Sequence, residues 1–230
     1  MQSKSRDTAT EPCPVCGGTV FVAGPGGRMA PSGQPPRCAH CGALERHRAF
    51  RTILEAVAGR LSGARVLQFS EDGALPRERF AAFEVSVHGG ANSLDLAAID
   101  RPDGAYGLVV ANHVLEHVAD DIAALAELDR VTAPSGAVFL SVPDLLRVER
   151  TKEYGRARED KHGHYRVYGP DIVERWRVAA PLWRGIGVVA HDPVTGAPDR
   201  ATILSRREGL LSALSEDLRA AGFAPFDAFA

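Results

Sequence analysis

The run Leu108-Val109-Val110-Ala111-Asn112-His113-Val114-Leu115-Glu116-His117-Val118 constrains the fold more than any other stretch of the chain. A short β-branched run reads as a buried strand. It passes directly into an apolar-periodic helix that carries Asn112, His113, Glu116 and His117. Strand ends are where open α/β sheets hold their ligands, so this junction is the first place to look for a site.

The flanking pattern supports that placement. Arg65 to Phe69 reads as a first strand, Ser70-Glu71-Asp72-Gly73 as a turn, and Arg77 to Phe83 as a short helix. Phe83 to Val87 reads as a second strand. Asp120 to Val131 is amphipathic, with Ile122, Leu125, Leu128 and Val131 on one face. Pro134-Ser135-Gly136 reads as a turn and Ala137 to Pro143 as a strand. Gly187–Ala190 and Ala201–Ser205 predict a closing hairpin around Asp192 to Gly196, and Leu210 to Ala221 a final helix. Alternation of this kind predicts a mostly parallel sheet with helices on both faces. A chain of 230 residues with 45% hydrophobic content has room for one such domain and a small module.

The small module is written in cysteine. All four cysteines fall in two C-x2-C pairs, Cys13/Cys16 and Cys38/Cys41, each followed by glycine. Two such knuckles supply the four sulfur ligands of a structural zinc, a reading preferred over disulfides or a redox pair. Val20, Phe21 and Val22, followed by many Gly and Pro, fit the strand and loose hairpin of a zinc ribbon. The expected layout is a disordered lead over 1–11, a ribbon over 12–43, and an α/β domain over 44–230. After the second knuckle, Leu44, Phe50, Ile53, Leu54, Val57 and Leu61 fall at helical spacing. Glu45, Arg46, His47, Arg48 and Arg51 on its first turns read either as a solvated face or as an anion-binding patch.

The segment from Tyr106 to Pro143 resembles the core of class I S-adenosylmethionine-dependent methyltransferases: the strand ending Asn112-His113-Val114-Leu115-Glu116-His117, the helix ending Glu127-Leu128-Asp129-Arg130-Val131, the turn Ala133-Pro134-Ser135-Gly136, and the strand ending Val142-Pro143. The wider chain is similar to a bacterial subgroup with an N-terminal zinc ribbon, through Leu44-Glu45-Arg46-His47-Arg48 and His164-Tyr165-Arg166-Val167-Tyr168-Gly169. The resemblance implies a Rossmann-like, seven-stranded sheet preceded by the ribbon. It implies that S-adenosylmethionine meets Phe69, Ser70, Glu71, Gly73, His88, Gly89, Asp95, Asn112 and His113. It also places a substrate lid at about 147–168, within which His164, Arg166 and Tyr168 are the expected acceptor contacts. Two departures stand out. The first turn has one glycine, and Val87-His88-Gly89-Gly90 stands where the family often has a ribose-binding acid.

His113 and His117 are the candidate catalytic residues, because imidazole is the side chain best suited to accept a proton near neutral pH. His113, Glu116 and His117 share one face if the segment is helical. Either a second divalent metal, completed by His162 or His164, or helix-orienting hydrogen bonds would account for them. The expected activity is methyl transfer to a small-molecule acceptor, an acidic one if Arg166 is its partner. The alternatives are a methyltransferase-fold protein that uses the site for binding or for another sulfonium reaction, and an RNA methyltransferase. The net charge of −2 and the scarcity of lysine argue against nucleic acid. No apolar run approaches the ~20 residues of a membrane helix, and the polar start lacks a signal core, so a cytoplasmic protein without a membrane partner is expected.

Overall fold

The computed structural model describes residues 11–143 and 145–230; the expected disordered lead lies almost wholly outside the described residues. A two-stranded ribbon, β1 (Phe21–Val22) and β2 (Arg37–Cys38), leads into helix α1 (Glu45–Leu61). Then follow β3 (Arg65–Phe69), β4 (Ala82–Ser86), β5 (Tyr106–Asn112), α2 (Asp121–Val131) and β6 (Thr132–Ser141). A hairpin of β7 (Lys152–Arg158) and β8 (His164–Val167) precedes α3 (Ile172–Ala179). The chain closes with β9 (Arg184–His191), β10 (Pro198–Ser205), α4 (Glu208–Ala220) and β11 (Phe226–Asp227).

Seven strands form the main sheet in the order β11-β9-β10-β6-β5-β3-β4. β4, β3, β5 and β6 are parallel, while β10 runs antiparallel to β6 and β9. The predicted closing hairpin is therefore β9–β10. Side-chain alternation divides the central strands between two cores. Val109, Ala111, Val138 and Leu140 face α2 and α3. Leu108, Val110, Ala137 and Phe139 face α1 and α4. Both faces are covered, which is why β5 reads as continuous apolar sequence. In α1 the periodic residues Phe50, Ile53, Leu54, Val57 and Leu61 all enter the second core. Asp120 caps α2, its side chain accepting from the Ala123 amide at 2.9 Å.

Three local expectations are corrected. The predicted helix over Arg77–Phe83 is one short 3-10 turn, Arg77–Arg79, and β4 already begins at Ala82. Pro134-Ser135-Gly136 is a bulge within β6, since the stretch from Thr132 to Ala137 runs against only Tyr106 to Leu108. Gly136 is required there, because a Cβ would stand 2.8 Å from the Gly107 carbonyl oxygen. Finally, β5 does not pass directly into a helix. His113 takes a left-handed φ of 51°, and only Leu115–His117 then form a 3-10 turn.

The chain leaves β3 toward β4 on one side and resumes at β5 on the other. The crevice between the ends of β3 and β5 is thus the point where strand order reverses, the usual ligand position in an open α/β sheet.

Candidate functional site

A cavity of about 790 Å³ opens at that crevice. Its floor is Phe69 and Ser70 from the end of β3 and His113 from the end of β5. One wall is Ser86, Val87 and His88 after β4, with Ser93 to Leu96 from the helix-free connection to β5. The opposite wall is Val114, His117, Val118 and Ala119, and the β7–β8 hairpin adds Ala157, Gly163 and Tyr165. The volume is in the range of small-molecule sites.

Of the residues expected at the donor, Phe69, Ser70, His88, Asp95 and His113 line this cavity together. Glu71 and Gly73 do not. They face a second cleft of about 480 Å³ against the ribbon, with Val15, Cys41 and His47, and Glu71 pairs with Arg77 at 2.9 Å. Gly89 is absent from the lining, its amide donating to Ser93 Oγ at 3.0 Å. Asn112 is buried beneath the cavity in a polar network. It donates to Asp72 Oδ2 at 3.1 Å and accepts from Ser141 Oγ at 3.1 Å, while Asp72 also accepts from Gln68 at 2.8 Å. Asn112 therefore braces the strand ends and does not line the cavity.

The acceptor expectation needs a larger correction. Arg166 and Tyr168 are 4% and 1% exposed and do not line the cavity. Arg166 donates to the carbonyls of Val118 and Ala119 and pairs with Glu153. The Tyr168 hydroxyl donates to Asp121 at 2.8 Å. These two residues anchor the hairpin to the start of α2. Sequence reading missed Tyr165 and Gly163, which reach the cavity instead. Strand alternation would have pointed to Tyr165, since neighbours in β8 face opposite ways.

The histidine end of the cavity is electrostatically unusual. Burial, and then the Arg46 charge, depress His113 to about 3, and its Nε2 is buried without a partner. Burial raises Glu116 to about 7; its side chain is nearly inaccessible and Oε2 has no hydrogen-bond partner. His113 Nδ1 lies 3.9 Å from Glu116 Oε1, a contact that these shifts make imidazole to carboxyl and not an ion pair. A base so weakened suits His113 to orienting a ligand more than to taking its proton. His117 and His164 stack edge to face with centroids 4.7 Å apart. Burial lowers both, and each is lowered further by neighbouring histidines.

In the ribbon, Gly17 and Gly42 take positive φ and close two knuckles. The four sulfurs converge, with Cys13–Cys41 at 3.8 Å and Cys16–Cys38 at 3.6 Å. Backbone amides of Val15 and Cys16 face the Cys13 sulfur, and those of His40 and Cys41 face Cys38. The basic start of α1 is neither a solvated face nor an anion patch as a whole. Arg48 is fully buried and Arg51 nearly so. Arg48 donates to the carbonyls of Pro36 and Ala43, each at 2.8 Å, and pairs with Asp192.

The chain matches the family model described as a methyltransferase domain over residues 45–179. No curated protein matches the sequence. Among solved structures it is similar to the 1,6-didemethyltoxoflavin-N1-methyltransferase of Burkholderia thailandensis, at 16% identity and a TM-score of 0.46 over 69% of this chain and 76% of that one. A SAM-dependent methyltransferase of Aquifex aeolicus matches at 17% identity and 0.42, over 67% and 92%. Another from Thermotoga maritima matches at 14% identity and 0.41, over 70% and 91%.

Proposed function

Because the chain belongs to the methyltransferase-domain family, we propose that it transfers a methyl group from S-adenosylmethionine to a small-molecule acceptor. The observation that carries this reading is the single cavity shared by two sets of residues. Phe69, Ser70, His88 and Asp95 lie at the ends of β3 and β4 and along the next connection, where the donor would bind. His117, Gly163 and Tyr165 line the same cavity from the turn after β5 and from the β7–β8 hairpin, where an acceptor would meet the donor methyl. Asp95 would accept from the adenine amine, and His88 would approach the ribose in place of an acid. A sulfonium is already activated, so the protein's contribution is alignment and exclusion of water. The anchored hairpin suits that role.

The ribbon holds one structural zinc in this reading. A zinc–sulfur bond of ~2.3 Å implies a tetrahedral edge of ~3.8 Å, which the sulfur separations of 3.6 and 3.8 Å fit. With all four ligands from the chain, that ion has no open position for chemistry. Among the described residues no helix is long and apolar enough to cross a membrane.

One observation favours a second reading, a protein of this fold that binds a ligand without methyl transfer. Of the first turn only Phe69 and Ser70 reach the cavity, while Glu71 and Gly73 face the ribbon. Calorimetric titration with S-adenosylmethionine and S-adenosylhomocysteine separates a working donor site from a silent fold. Binding of both is expected; binding of neither would remove the proposed activity.

A further inference from the structure

We infer that the acceptor is an uncharged, largely apolar molecule, and that the ring of His117 accepts a hydrogen bond from the hydroxyl or N–H at which it reacts. This deepens the methyl-transfer reading and rests on it. The charges of the cavity wall carry the inference. No lysine or arginine is among the lining residues, and Asp95 is the one carboxylate, already assigned to the donor. The turn after β5 and the β7–β8 hairpin line the cavity beside His117 with Val114, Val118, Ala119, Ala157, Gly163 and Tyr165. Cations are close by, yet the fold keeps them out of this wall. The hairpin carries Arg156, Arg158 and Lys161 but presents Ala157, Gly163 and Tyr165 to the cavity. Arg158 turns to Asp160, with both contacts at 2.7 Å, and Arg166 is engaged by Glu153 and by backbone carbonyls. Arg46, whose charge reaches His113 and Glu116, also stays out of the lining. An anion entering such a site would lose its hydration and find no counter-charge in return.

The second observation is how His117 is held. Gly163 takes a left-handed φ of 81° beside the ring, and a Cβ there would stand 3.6 Å from His117 Nδ1. The Gly163 backbone also hydrogen-bonds the ring. With Nδ1 turned to that backbone, Nε2 is the nitrogen left for a ligand. Burial, and then neighbouring histidines, hold the ring below the ordinary imidazole range, so near neutral pH it offers a lone pair and no charge. A hydroxyl or N–H completes that lone pair. A carboxylate, which brings only lone pairs of its own, would not.

The experiment titrates the full chain, loaded with S-adenosylhomocysteine, with para-phenylphenol, its methyl ether and para-phenylbenzoate, read by calorimetry and ligand-observed NMR. The phenol is expected to bind, and the benzoate at least about ten-fold more weakly. Ala157→Arg, which adds a cation at an exposed position of the wall, should narrow that gap. His117→Ala should weaken the phenol by ~2–12-fold and leave the ether, which has no proton to donate, unchanged. A benzoate that binds as tightly as the phenol, or a phenol that does not bind, overturns the uncharged acceptor. Equal losses for phenol and ether in His117→Ala, or no loss for either, overturn the hydrogen bond. Discrimination of phenol from benzoate by a chain that binds no S-adenosylhomocysteine would leave the preference of the pocket standing and remove only the methyl-transfer reading.

Discussion

Arg48 and Asp192, 144 residues apart in the chain, meet in a two-point ion pair, Nε to Oδ1 at 2.7 Å and the second guanidinium nitrogen to Oδ2 at 2.6 Å. Neither side chain is exposed. The remaining Arg48 donor reaches two ribbon carbonyls, and Asp192 accepts from Thr195 in the β9–β10 turn. One arginine on α1 thus ties the ribbon, the helix and the closing hairpin together. Breaking one partner of a buried pair leaves an uncompensated charge, a loss of ~3–5 kcal/mol. Asp192→Ala should therefore lower the melting temperature by roughly 6–20 °C for a chain of this size. A shift below about 2 °C would show that the pair is dispensable.

A second clamp predicts an acid response. Burial raises Glu84, but hydrogen bonds from Arg101, Tyr106 and Asn92 outweigh it and hold the carboxyl at about 2, against an ordinary 4.5. A depressed carboxyl contributes stability above its unfolded pKa and loses it as pH falls toward its folded one. That contribution, on the order of 2–3 kcal/mol, is complete above about pH 5 and fades between about 4.5 and 2. Melting curves of wild type and Glu84→Gln should differ at neutral pH and converge in acid. Parallel curves down to pH 2 would contradict the assignment.

At the donor end, Asp95→Ala should weaken S-adenosylhomocysteine binding by ~2–12-fold, the worth of one neutral hydrogen bond. Calorimetry on the folded variant checks this, and unchanged affinity would take Asp95 out of the donor site.

Arg166→Ala separates the buried role from a substrate role. Its donors serve Val118, Ala119 and Glu153, so the expected effect is ~2–4 kcal/mol of lost stability. A rise in KM with an unchanged melting temperature would restore Arg166 to the acceptor.

The ribbon prediction concerns metal content. Purified protein should carry one zinc that Cys38→Ser releases, with loss of ordered ribbon because metal binding and folding are linked. Cysteines that react with a thiol reagent equally fast before and after chelation would count against it.

Pattern within short windows was enough for much of this molecule. The strands at Arg65 and Leu108, the helices at Glu45, Asp121 and Glu208, and the paired cysteine knuckles are all local signals, set by side-chain alternation, helical spacing and ligand chemistry. The junction after Leu108 was also legible as a cavity wall, because open α/β sheets form their crevices at strand ends. What pattern could not reach was the direction each polar side chain takes. Arg48 looked solvated because nothing near it in sequence reveals Asp192, and Arg166 looked available because its partners lie 13 to 48 residues away. Likewise, helical spacing grouped His113 with Glu116 and His117 and left His162 and His164 open as a fourth member, whereas the fold turns His113 into a left-handed conformation and brings His164 from β8 against Glu116 and His117. Secondary structure follows from neighbours in sequence. Burial, ion pairing and the membership of a site depend on contacts across the fold, and only packing of the whole chain decides those.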